Sequence, residues 1–70
     1  MNPRAMNNKE KEGLKMVKES GLAYEVIFWN SPFGNSGYTV NVPILCGNYK
    51  LDQSEPFQKD LKRYNLLGHI

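Results

Sequence analysis

Residues 22–45 read LAYEVIFWNSPFGNSGYTVNVPIL, and this stretch decides the fold. Leu22 to Trp29 alternates at period two. Leu22, Tyr24, Val26 and Phe28 fall on one face, and Glu25, Ile27 and Trp29 on the other. In residues 30–37, Asn-Ser-Pro-Phe-Gly-Asn-Ser-Gly, every member but Phe33 is a turn former. Alternation resumes from Tyr38 to Leu45, where Tyr38, Val40, Val42 and Ile44 are interleaved with Thr39, Asn41 and Pro43. Two alternating runs around a turn-rich loop predict a hairpin. Pro43 lacks an amide hydrogen, so that end of the second strand is expected at an edge or bulge. Gly47-Asn48 suits a tight turn into a short third strand at Tyr49 to Leu51.

Working outward, the only charged side chain from Gly21 to Tyr49 is Glu25, and the same span holds six of the eight aromatic residues. Both flanks are rich in Lys and Glu, as expected for a sheet between two helices. The first helix is predicted over Asn8 to Ser20, with Asn7 and Glu10 as a capping box and Gly21 as the stop. Leu14 and Val17 form its apolar face, Met16 lies at the edge, and Gly13 weakens its interior. The last helix is predicted to start between Asp52 and Pro56, with Asp52 or Ser54 as cap and proline in the first turn. It carries a Phe57, Leu61, Tyr64 stripe and ends at Gly68. The expected fold class is α+β: a small α-β-β-(β)-α domain, with an antiparallel two- or three-stranded meander and two helices on one face. The expected core is Leu14, Val17, Tyr24, Val26, Phe28, Val40, Val42, Ile44, Phe57, Leu61 and Tyr64. Residues 1–70 read as a single small domain, with 1–7 and 68–70 frayed.

A 70-residue chain buries only about 60% of its unfolded surface. One cysteine, Cys46, allows no internal disulfide, and His69 is the single histidine, so neither a disulfide nor a zinc site of about four ligands can staple the fold. Either the core is unusually efficient, or a protein partner or second copy completes it. The lone thiol fits a reducing compartment. Residues 1–6 hold no apolar stretch of the secretory kind, and no run approaches the roughly 18 apolar residues of a membrane span. The reading is cytoplasmic, with no membrane, metal or cofactor.

No catalytic constellation appears. Cys46 has no histidine near it in sequence and reads as a small buried structural residue. Asp52, Glu55 and Asp60 gather at a helix start, where the dipole favours acids in any case. Gly34-Asn35-Ser36-Gly37 lacks the Lys-Ser/Thr ending of a phosphate loop. The element order is similar to that of the double-stranded-RNA-binding domain, but the last helix opens Asp52-Gln53-Ser54-Glu55-Pro56, with acids where that family needs lysines, and the long loop holds no cation. The likeness is one of topology alone. Nucleic-acid contact through Lys11, Lys15 and Lys18, with Lys59, Lys62 and Arg63, is the alternative function; the net charge of +2 does not argue for it.

The leading expectation is a non-enzymatic protein-interaction module, a regulator or inhibitor of a larger protein. If helices cover the Tyr24-Val26-Phe28 face, Ile27 and Trp29 point away, flanked by Thr39 and Asn41, with Phe33 on the adjoining loop. An uncovered patch of this kind marks a contact surface, unless Leu66, Leu67 and Ile70 fold back over it. The partner would be another protein or a second copy. The edge near Pro43 and the short third strand offer a further route, β-addition of another chain.

Overall fold

Helix α1 forms over Asn8–Glu19 because its first turn is closed from both sides. Asn7 Oδ1 accepts the Glu10 amide at 2.8 Å, and Glu10 Oε1 accepts the Asn7 amide at 3.0 Å. The structure, a computed structural model, describes residues 4–67. Strands β1 (Glu25–Asn30), β2 (Ser36–Val42) and β3 (Gly47–Lys50) follow, then helix α2 (Glu55–Leu66). The sheet is antiparallel in the order β1-β2-β3. The architecture is thus α+β, in the order α-β-β-β-α.

Strand β2 is the centre of the sheet, and its Val40 and Val42 are completely buried. Val17 of α1, Phe57 of α2, Tyr49 of β3 and Leu51 complete the buried cluster, so both helices pack on the same sheet face. Leu14, Val26 and Leu61 pack against it partly buried, as does Tyr38. Tyr24 and Ile44, expected in the core, are exposed. Tyr24 precedes β1. Ile44 lies in a 3-10 turn, Pro43–Leu45, which ends the alternation at Val42 and connects β2 to β3. Pro43 therefore stands outside the strand, and the expected edge at that point does not form. The turn reverses through Cys46, which takes the left-handed conformation (φ 54°) and is exposed rather than buried. Gly47-Asn48 belongs to β3, not to the turn.

Tyr49 and Leu51, not among the expected core residues, are buried in it. Burial, with the Asp60 hydrogen bond, pushes the Tyr49 hydroxyl well above the ordinary phenol range; it donates to Asp60 Oδ2 at 2.5 Å, tying β3 to α2. Its ring meets Phe57 edge-on, with centroids 5.5 Å apart. Leu51 shows why α1 contains Gly13. A Cβ on that glycine would lie 2.0 Å from the Leu51 carbonyl oxygen, so the helix rests directly on the backbone beyond β3.

Residues 4–7, expected to fray, instead clamp the fold. Arg4 Nη1 and Nη2 donate to Glu10 Oε1 and Oε2 at 2.7 and 2.8 Å, a bidentate pair with Glu10 only 2% exposed. Arg4 also donates to the Ser36 hydroxyl and carbonyl at 3.0 and 3.1 Å. The Tyr38 hydroxyl donates back to the Arg4 carbonyl, and its ring lies 5.6 Å from the guanidinium carbon. One arginine thus joins the N-terminal segment, the start of α1 and the start of β2. Residues 1–3 and 68–70, with the expected stop at Gly68, fall outside the described residues.

Two outcomes are expected. Gly13→Ala should lower unfolding stability by more than about 2 kcal/mol in a denaturant titration, because a backbone carbonyl blocks the new methyl. The Arg4 hydrogen bonds hold the Glu10 carboxyl at about 2 instead of the ordinary 4.5, against the opposing effect of burial. A folded-state pKa below the unfolded one contributes stability that is full above about pH 4.5 and is lost as pH falls through about 2. Stability measured from pH 6 down to about pH 2 should therefore fall less steeply in Glu10→Gln, which starts lower at neutral pH.

Candidate functional site

The register defines the sheet face turned away from the helices. Glu25 pairs with Asn41 and Asn41 with Asn48; Ile27 pairs with Thr39 and Thr39 with Lys50; Trp29 pairs with Gly37. Directly paired residues share a face, so these form three short rows across the sheet. Ile27 and Trp29 of β1 and Thr39 and Asn41 of β2 are thus brought together, as the alternation predicts.

Ile27 is 41% exposed at the middle of this face, while Trp29, Thr39 and Asn41 are half-buried. Trp29 does not stand free. Its indole lies flat enough on the sheet that a Cβ on Gly37 would come within 2.6 Å of the ring. The glycine opposite the indole gives the ring a bed of backbone, which fixes a large apolar group at low conformational cost. The only charged members of the face, Glu25 and Lys50, sit on opposite outer strands. Leu66 and Leu67, which could have folded over the patch, are 77% and 74% exposed at the end of α2, and Ile70 lies outside the described residues.

Phe33 occupies the tip of the loop between β1 and β2 and is 90% exposed. The loop is held by its own hydrogen bonds. The Ser31 amide donates to the Asn35 carbonyl at 2.6 Å, the Gly34 amide to the Ser31 carbonyl at 3.1 Å, and the Phe33 amide to Ser31 Oγ at 3.1 Å. The Ser31 hydroxyl and Gly34, with φ at +91°, set the turn that presents the ring.

The cations are dispersed. Lys11, Lys15 and Lys18 are exposed along α1. Lys59 lines an open cleft of about 740 Å³ between the starts of the two helices, which it shares with Lys9 and with Glu12, Asp52 and Glu55. Lys62 borders a groove with Leu61 and Leu66, and Arg63 another with Ile44, Tyr64 and Leu67. The six residues are divided between α1 and α2. Among the described residues no group of three or more His, Cys, Asp or Glu could hold a metal ion. Asp60 is engaged by Tyr49 and stands apart from the cleft that Asp52 and Glu55 line. No helix of the described residues is long and apolar enough to cross a membrane.

Set against known protein families, curated proteins and solved structures, the chain matches none. Sequence reasoning overlooked Gly37 as part of this face. The signal was present: a glycine at the register position opposite the single tryptophan of a hairpin. Gly37→Ala should lift the indole off the sheet and cost about 1–3 kcal/mol in chemical denaturation, whereas Gly34→Asn, at a position that tolerates the left-handed conformation, should cost less.

Proposed function

We propose that this chain is a non-enzymatic protein-interaction module that docks on a larger protein through the open sheet face, as a regulator or inhibitor would. The observation that carries the reading is the exposure of Ile27 beside a glycine-seated Trp29, on the face opposite both helices. Tryptophan is a favoured interface anchor, and a ring already fixed in position loses little entropy on binding. Thr39 and Asn41 supply hydrogen-bonding groups at the centre, with Glu25 and Lys50 as a polar rim. Phe33 extends the apolar surface at the loop tip. A reducing, cytoplasmic setting goes with this reading, on the strength of one exposed thiol at Cys46.

Nucleic-acid binding through the lysine faces has less support, because Lys59 shares its cleft with three carboxylates. The two readings part on salt: phosphate contacts weaken steeply as salt rises, and an apolar interface does not.

The test compares proteins retained by the immobilised chain with those retained by Ile27→Asp, Trp29→Ala and the triple variant Lys11→Ala/Lys15→Ala/Lys18→Ala, all checked for fold by circular dichroism. Specific ligands should bind the first two variants at least about 30-fold more weakly, in line with the loss of an interface anchor, and should bind the lysine variant and high-salt samples as before. Retention unchanged by both face variants would contradict the proposal.

A further inference from the structure

Strand β1 is an outer strand, and no charge, proline or bulge interrupts it from Val26 to Trp29. Natural edge strands are blunted by lysine, proline, bulges or shortness. β3, on the other side of the sheet, is four residues long and ends in Lys50. β1 is six residues, Glu-Val-Ile-Phe-Trp-Asn, with an unbroken register to β2 and a single charge at its start. Among the described residues no strand lies beyond it.

The hydrogen-bond phase identifies which groups face that edge. The Leu51 amide donates to the Tyr38 carbonyl at 3.1 Å, so the backbone of Tyr38 is turned towards β3. In an antiparallel ladder the two polar groups of a residue point to the same side, and successive residues alternate. Tyr38 and its partner Phe28 are therefore a non-bonded pair, and Ile27–Thr39 and Trp29–Gly37 are the bonded ones. The Ser31-to-Asn35 hydrogen bond at 2.6 Å continues the same phase into the loop. The amides and carbonyls of Val26 and Phe28 point out of the sheet.

We propose that β1 pairs antiparallel with β1 of a second copy, about a two-fold axis at Ile27. Period two restricts the register. Outward-facing groups must meet outward-facing groups, and with the axis at Ile27 Val26 lies opposite Phe28 of the second copy and Ile27 opposite itself. Each Val26–Phe28 pair exchanges two backbone hydrogen bonds, and the two copies of Glu25 sit at opposite ends of the seam. Helix-side residues meet helix-side residues, so the partly buried Val26 and Phe28 gain an apolar neighbour, and an isologous, closed dimer results. This inference concerns the sheet edge and does not rest on docking at the open face.

The experiment is sedimentation or light scattering of the whole chain over a dilution series. It is repeated on a synthetic chain with the Phe28 amide N-methylated and on Thr39→Lys, each checked by circular dichroism. N-methylation deletes one outward donor and changes no side chain; Thr39 sits on the open face of the central strand, away from the edge. The expected result is a species of twice 8.0 kDa that N-methylation weakens at least about tenfold and Thr39→Lys leaves unchanged. A monomer at every concentration overturns the proposal, as does a dimer indifferent to N-methylation. A dimer that Thr39→Lys dissociates with the fold intact also overturns it and transfers self-association to the open face, where the docking reading would stand without the edge.

Discussion

The fold depends on one strand having a single side to give. β2 lies between two neighbours, so its backbone is committed to hydrogen bonds on both edges, and Val40 and Val42 are enclosed on one face. Both helices compete for that face. Val17 and Phe57 reach it from α1 and α2, and in a chain of 70 residues no element remains among those described to cover the reverse. Small domains of this size work close to the limit of stability, at about 0.05–0.15 kcal/mol per residue, which is roughly 4–10 kcal/mol here. The polar clamp at Arg4 and the Tyr49–Asp60 bond then matter more than they would in a larger protein, because each fixes a helix to the sheet where apolar area is short.

Much of this was legible in the residues. The capping box of Asn7 and Glu10, the hairpin around residues 30–37, Pro56 in the first turn of α2 and the face shared by Ile27, Trp29, Thr39 and Asn41 all follow from local rules with short reach. Most of what failed depended on contacts between residues distant in sequence. The exception is Ile44: alternation carried past Val42 assigns it to the core, although Pro43, a residue suited to the first position of a helical turn, opens a 3-10 turn that ends the strand. Gly13 is a weak point by helix propensity alone, and only the Leu51 carbonyl against it shows why a glycine is needed there. Arg4 looked like part of a loose end; its partners at Glu10, Ser36 and Tyr38 come together only after folding. Glu10 both caps α1 and holds Arg4.

The open face and the outer β1 edge have a common origin. A three-stranded sheet with helices on one side satisfies its central strand and leaves both an uncovered face and two outer edges, of which β3 is short and ends in a lysine. The two surfaces meet along β1, whose side chains belong to one and whose amides belong to the other. A single strand can therefore offer backbone pairing at its margin and side-chain contact on its face without conflict, since the two directions are perpendicular.

Trp29 is the single tryptophan of the chain, so its fluorescence reads the decisive side chain without interference. The most direct measurement is acrylamide quenching of that emission in dilute solution, before and after unfolding in guanidinium. The account predicts an indole already substantially accessible in the folded chain, with emission between the buried and the unfolded limits. Blue-shifted emission and near-complete protection from quencher at the lowest concentration would mean that the monomer encloses its own tryptophan, and would contradict the open face.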